Sequence, residues 1–310
     1  MKNFFIILLL LSLTLQAREV IDSSGSCKIN WTQGFISCEG ESAEGQSSYG
    51  AKILAKVIAQ RNLLEVIRGV SIDSEVTVSD GMLSSDIIKS RVQGVIKGGQ
   101  ILSNNYNSTS KSAIAIIKLE MGKDLLSALL SDPTKLSWNE KIQKAWDGFN
   151  FITSANASTY SQQDKETIKK LLDDMRERGD AKGSEYLSDV LDNIDNNQYS
   201  GILIDISGIA NFEKAMIVKL VDEGGAEIYP STVLDKATLV KKNTSVGYMY
   251  GIQDARENKR VFDKPVEFKA QKVYKNRKSN IVLTKSQIEV IKGLDQEILK
   301  RAKIILVLGE

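Results

Sequence analysis

The tightest constraint on this chain is its cysteine pair. Cys27 and Cys38 are the only cysteines in 310 residues, and the segment between them reads as a hairpin. If Trp31 stands opposite Gly34, then Ile29 faces Ile36 and Cys27 faces Cys38. Side chains alternate along a strand, so Cys27, Ile29, Trp31, Ile36 and Cys38 then share one face. Lys28, Asn30 and Ser37 take the other face, with Phe35 as an exception. A bridge closing so short a loop stabilises a fold by about 2–3 kcal/mol. The spacing is far wider than the Cys-x-x-Cys of redox enzymes, so a structural disulfide is expected rather than a reactive pair.

Disulfides belong to oxidising compartments, and the first residues agree. Met1-Lys2-Asn3 is a short positive segment, Phe4 to Leu15 is an apolar run, and Leu15-Gln16-Ala17 offers a small residue for cleavage before Arg18. This is the plan of a secretory signal, expected to span residues 1–17. The other reading is a retained anchor, but the run is shorter than the roughly 20 apolar residues that span a bilayer. A lipidated start needs a cysteine directly after the apolar run. Cys27 lies ten residues past Ala17, so no lipid anchor is expected.

Composition narrows the chemistry. Histidine is absent, which removes the side chain that titrates near neutrality and the commonest transition-metal ligand. Lysine plus arginine number 41 against 39 acidic residues, a balance that gives no electrostatic case for nucleic-acid or anionic-membrane binding, and no nucleic-acid partner is expected.

The chain divides into three parts after the signal. Residues 18–130 are expected to form an α+β domain, a helix packed on a mostly antiparallel sheet. Tyr49 to Arg68 is the clearest helix, apolar over most of its surface, with Arg61, Glu65 and Arg68 as a surface charge group and Gly69 as its stop. Val70 to Val78 alternates like a half-buried strand. Ser79 to Asp86 reads as a turn that includes one helical turn, and Ile87 to Lys97 as a further strand. Gln100 to Asn107 and Lys111 to Met121 form a hairpin. Residues 131–198 read as a helical connector, with Trp138, Ile142, Ala145, Trp146 and Phe149 at helical spacing over Trp138 to Phe151 and further helices over Asp164 to Arg178 and Ser184 to Ile194. Residues 199–310 are a second α+β domain. Its strands include Gly201 to Ile206, Ala215 to Val221 and Ser245 to Gly251. A helix is expected over Ser286 to Ile298, then a closing strand, Ala302 to Leu308, apolar enough to be central.

No phosphate-cradling glycine motif and no Gly-x-Ser-x-Gly elbow occurs. Asp173-Asp174 is read as solvated. Asp189, Asp192 and Asp195 recur every three residues but lack the calcium-loop pattern. Asp205, beside Ser207, is read as a turn cap before it is read as a catalytic acid. Tyr248 and Tyr250 share a strand face, suited to cross-strand packing or to stacking on a sugar. No residue is assigned a catalytic, cofactor-binding or metal-ligating role, and no cofactor is expected. The expectation is a periplasmic, non-enzymatic protein acting through its surfaces. The alternative is a soluble binding module for an envelope glycan, lipid or protein, resting on Trp138, Trp146, Tyr248 and Tyr250.

Three patches carry a resemblance. The first holds Ile29, Asn30, Trp31, Thr32, Gly34 and Ile36. The second runs from Ala51 through Ala55, Ala59, Arg61, Asn62, Leu63, Leu64, Glu65 and Ile67 to Gly69, Val70, Ile72 and Ser74. The third holds Ser85, Asp86, Ile88, Val92, Gly94, Ile96, Lys97 and Gly98. Together they resemble the LPP-twenty-type outer-membrane lipoprotein domain, and the two-part chain without a lipid cysteine looks like the FlgQ-like branch of the FlgP/FlgQ flagellar basal-disk proteins. The second half adds Tyr199, Gly201, Leu203, Asp205 and Gly208, then Val221 to Tyr229, then Lys303 to Leu308. The resemblance implies packing roles for Trp31, Arg61, Asn62, Leu64, Glu65 and Gly69. It implies a part in the outer-membrane-associated basal disk, as an oligomeric assembly. Its partners would be a FlgP-like lipoprotein or other disk proteins, with outer-membrane association held through them.

Overall fold

The computed structural model describes residues 18–130, 162–180, 183, 184, 187 and 199–309, apart from 232 and 263. The first half opens with β1 (Ile21–Ser24), β2 (Cys27–Asn30) and β3 (Phe35–Glu41). The β2–β3 register pairs Cys27 with Cys38 and Ile29 with Ile36, as the alternation requires. The Cys27–Cys38 disulfide is formed. Helix α1 (Ser48–Arg68) follows, its N-terminus capped by the Ser47 side chain. After it come α2 (Val78–Ser84), α3 (Asp86–Lys97), β4 (Gln100–Asn107), β5 (Ser112–Glu120), a π-helical turn (Met121–Leu126) and α4 (Ser127–Leu130).

The five strands form one antiparallel sheet in the order β1-β2-β3-β5-β4. α1 lies across it with Ala51, Ala55, Ala59, Leu63 and Ile67 buried, one every four residues. Ala113 and Ala115 meet its alanine end. Gly40 makes the close approach possible, because a Cβ there would stand 2.2 Å from the Ala59 amide nitrogen.

Two expectations for this half are corrected. Residues 87–97 form helix α3, not a strand. Ile88, Val92 and Ile96 recur every four residues, and their burial marks one helical face. The Ser85 hydroxyl caps its first turn. Val70 to Val78 is not a strand either: it is a loop with a single Ser71–Thr77 bridge, and the chain then turns into α2. Its alternation reflects burial of Val70, Ile72 and Val78. The helical turn expected within Ser79 to Asp86 is α2, held by a reciprocal Thr77–Asp80 cap.

Of the connector, α5 (Gln162–Glu177) is described and matches the helix expected over Asp164 to Arg178. The helices expected over Trp138–Phe151 and Ser184–Ile194 lie outside the described residues, wholly or in most of their length.

The second half holds β6 (Gly201–Asp205), β7 (Lys219–Val221), β8 (Glu227–Tyr229), α6 (Lys236–Lys242), β9 (Gly247–Tyr250), α7 (Ile252–Glu257) and β10 (Pro265–Lys269). It closes with β11 (Val273–Tyr274), β12 (Arg277–Val282), α8 (Lys285–Lys292), α9 (Gln296–Lys300) and β13 (Ile304–Leu308). β10, β6, β13 and β9 make an all-parallel sheet in that order. β6 and β13 are its inner strands and read as unbroken apolar runs, because both of their faces are covered. A second sheet, β11-β12-β7-β8, is mixed. The strand expected from Ala215 is shorter, starting at Lys219. The helix expected over Ser286 to Ile298 breaks at Gly293 into α8 and α9.

Candidate functional site at the seam between the halves

The two halves share one buried apolar cluster, which runs from Val20 and Trp31 through Leu63 and Leu119 to Tyr248 and Leu306. Trp31 is buried at the tip of the β2–β3 hairpin, and its ring meets Tyr248 edge-on. The Trp31 indole N–H donates to Asp22 Oδ2 at 2.8 Å, and Lys214 Nζ holds the other Asp22 oxygen at 3.0 Å. The Thr32 hydroxyl donates to the Tyr248 carbonyl at 2.8 Å and accepts from the Val20 amide.

Backbone bonds join the halves as well. The amides of Met216 and Ile217 donate to the carbonyls of Ser71 and Ile72, at 3.0 and 2.7 Å. The loop after α1 is therefore tied to the second half through its backbone carbonyls. Arg277 meets Glu75 at 2.6 Å on the rim.

Asn243 forms the second latch. It ends α6 in the left-handed conformation, φ 67°. Its Oδ1 accepts from the Gly122 amide at 3.0 Å, and its Nδ2 donates to the Gln33 carbonyl at 3.3 Å. A side chain on Gly122 would overlap this loop, standing 2.0 Å from the Val240 carbonyl oxygen.

Behind the seam the polar groups are committed to backbone. The Tyr248 hydroxyl donates to the Ala215 carbonyl at 2.6 Å and accepts from the Ala215 amide at 3.1 Å. The Tyr229 hydroxyl donates to the Ser245 carbonyl at 2.6 Å, and the Ser245 hydroxyl brackets Val218. Burial pushes both phenols well above their ordinary range. Both hydroxyl protons are committed to backbone carbonyls. Tyr248 is fully buried, which removes it from any sugar-stacking face; Tyr250 is half-buried beneath Arg18.

Asp205 lies at the end of β6, where its Oδ1 accepts from the Ser207 amide at 2.9 Å. Burial opposes its ionisation, but the Ser207 bonds and Lys269 outweigh burial and hold its pKa below the usual carboxylate range. That is a turn cap, not a poised acid. Asp174 of α5 pairs with the exposed Arg178 just past its end. Trp138, Trp146, Asp189, Asp192 and Asp195 lie outside the described residues. Among the described residues no three histidine, cysteine or acidic side chains gather to hold a metal.

The motif positions divide by role. Asn62 ties α1 to the sheet, its Nδ2 donating to Ser26 Oγ at 2.9 Å and the Glu39 carbonyl at 2.8 Å. Leu64 packs against the core. Arg61 and Glu65 are exposed on α1. Gly69 closes α1 in the right-handed region, φ −82°, without the left-handed cap expected of a glycine. Spacing along the chain offered no signal for Gly122 or Asn243, whose partners lie far away in sequence.

Fold and seam define a disulfide-bonded α+β protein of two halves joined by a buried interface. No helix of the described residues is long and apolar enough to cross a membrane. Residues 201–310 match the family described as Treponema pallidum Tp0624, second domain. No curated protein matches the chain.

Proposed function

We propose that this chain is a non-enzymatic assembly protein of the bacterial envelope. In this reading it forms or stabilises the outer-membrane-associated basal disk of a flagellar motor and is held at the membrane by a lipidated partner. The observation that carries the reading is the outward face of α1. Tyr49, Ile53 and Val57, one turn apart, are 79%, 46% and 52% exposed, with Leu54 beside them. The edge strand β4 adds exposed Ile101 and Leu102. Edge strands are usually blunted with charge or proline, and β4 carries neither. Contiguous exposed apolar side chains mark contact surfaces. Many weak contacts of this kind become strong when subunits repeat. The disulfide supports an oxidising compartment.

The test is deletion of the gene followed by imaging of the motor, with complementation by wild type and by the double variant I53E/V57E. A missing or incomplete disk restored by wild type but not by the variant is expected. A normal disk and normal motility in the deletion strain would sink the proposal. The alternative, a glycan-binding module, has lost Tyr248 as a stacking surface and keeps Tyr250 alone among the described aromatics that motivated it.

A further inference from the structure

Cations gather without carboxylates at the N-terminal end of the parallel sheet, with Arg260 as their hub. Its Nε donates to the Ala302 carbonyl at 2.7 Å and its Nη2 to the Thr244 carbonyl at 2.9 Å. The guanidinium thus ties the residues before β13 to those before β9. Its Nη1 has no hydrogen bond among the described residues and lies near Gly247, where a Cβ would stand 3.5 Å away.

The segments that hold those two carbonyls also carry lysines. Lys303 follows Ala302 directly. Lys242 precedes Thr244 by two residues, with Lys241 beside it in the last turn of α6. Lys259 adjoins Arg260. Three other cations of this half are paired: Lys219 with Glu227, Arg256 with Glu267 and Lys278 with Glu213. None of Lys241, Lys242, Lys259, Arg260 and Lys303 meets a carboxylate among the described residues.

The α6 dipole accounts for Lys241 and Lys242, since cations are favoured at a helix C-terminus. It does not account for Lys259, Arg260 and Lys303, which arrive from other segments. Burial first, then repulsion from Arg260, Lys241, Lys303 and Lys259, holds the Lys242 ammonium below the usual lysine range. In a chain so close to neutral overall, this concentration of like charge is locally unfavourable. An anion among the side chains would reverse that.

We propose that Lys242, Lys259, Arg260 and Lys303 form a binding site for a phosphate group, either free or on a lipid headgroup. Arg260 supplies a planar fork already fixed by two carbonyls, and the lysines supply point charges around it. The site is separate from the α1 face and stands on different residues, so either can fail without the other.

The experiment uses the full chain. Thermal unfolding is followed in inorganic phosphate and in chloride at equal ionic strength, and sedimentation with phosphatidylglycerol and phosphatidylcholine vesicles is run beside it. The double variant K242Q/K303Q removes two charges while leaving the Arg260 hydrogen bonds intact. K272Q/K285Q, on exposed lysines elsewhere, controls for net charge. Phosphate is expected to raise the midpoint beyond chloride, and K242Q/K303Q to weaken that response at least about tenfold, the weight of a charge-assisted contact. The control variant should match wild type. Sedimentation with phosphatidylglycerol without a response to inorganic phosphate, lost in K242Q/K303Q, assigns the lipid headgroup. A response to both assigns phosphate itself. Equal behaviour in phosphate and chloride with no preference for phosphatidylglycerol overturns the proposal. So does binding that K242Q/K303Q leaves unchanged or that K272Q/K285Q weakens equally.

Discussion

The Trp31 indole meets the Tyr248 ring edge-on, with centroids 5.5 Å apart and planes at 68°. One ring comes from the hairpin tip of the first half and the other from a parallel strand of the second. Such a contact is worth about 0.5–1.5 kcal/mol beyond the area it buries. It also sits where the Thr32 hydroxyl and the Tyr248 carbonyl join the two backbones.

Trp31→Ala should therefore lower stability by about 3–5 kcal/mol, the range for emptying a buried aromatic site. Tyr248→Phe keeps the ring but strands the buried Ala215 amide and carbonyl, at a cost of about 1–3 kcal/mol. Urea unfolding followed by far-UV dichroism measures both, and Trp31 fluorescence follows the seam directly in wild type and Tyr248→Phe. The described halves share one core, so the two probes should shift together. A variant in which only one probe moves would show that the seam does not couple the halves.

Two glycine substitutions should act in opposite directions. A methyl on Gly122 would sit 2.0 Å from the Val240 carbonyl oxygen, so Gly122→Ala must push α6 and Asn243 off the first half. Gly94 lies inside α3 with nothing within 4 Å of its would-be Cβ. Gly94→Ala should raise stability by about 0.5–1 kcal/mol through helix propensity alone. Thermal melts of the pair suffice to check the contrast.

Removing the Cys27–Cys38 bridge as C27S/C38S should lower stability by about 2–3 kcal/mol through loop-closure entropy. The hairpin register should survive, since Ile36 and Trp31 stay anchored in the core. Adding a reductant to wild type should reproduce the loss, and adding it to the variant should do nothing.

Asp73 makes stability depend on pH in a direction unusual for a carboxylate. Burial dominates its surroundings and raises its pKa, although the amides of Glu75 and Val76 and the Lys219 ammonium oppose the rise. Between the unfolded value of 3.8 and the raised folded value, the native state holds the proton that the unfolded state has released. Stability contributed by this group is then fully present below the unfolded pKa and lost as pH rises through the folded one. Asp73→Asn keeps an oxygen acceptor for both amides. It should raise the urea midpoint at pH 7 and leave it nearly unchanged at pH 3. The opposite sign at pH 7 would mean that Lys219, rather than desolvation, governs the site.

The sequence and the structure agree most closely where one local interaction decides the outcome. The hairpin register was legible because only one pairing brings Cys27 to Cys38 and Ile29 to Ile36 on a shared face. α1 was legible from its length and apolar periodicity, and β13 from an apolar run that both faces need. α3 was misread because β-branched Ile88, Val92 and Ile96 favour strands on propensity, while their four-residue spacing and the Ser85 cap favour a helix. The loop after Val70 was misread because its alternation comes from burial of Val70, Ile72 and Val78, which a loop provides here as well as a strand would. Of the motif residues, Trp31, Asn62 and Leu64 do pack or bond, whereas Arg61 and Glu65 face solvent.

By itself the sequence determined the elements whose information is local: a bridged hairpin, a long helix on a sheet, a second strand-rich half, and a chain without histidine chemistry. Only the tertiary structure decided that the halves share a core, that Tyr248 is buried, and that Asn243 fits against Gly122. Those contacts join residues more than 100 positions apart. No periodicity of 2 or 3.6 residues encodes such a pairing, because it is selected by shape and hydrogen bonding between surfaces that exist only after each half has folded.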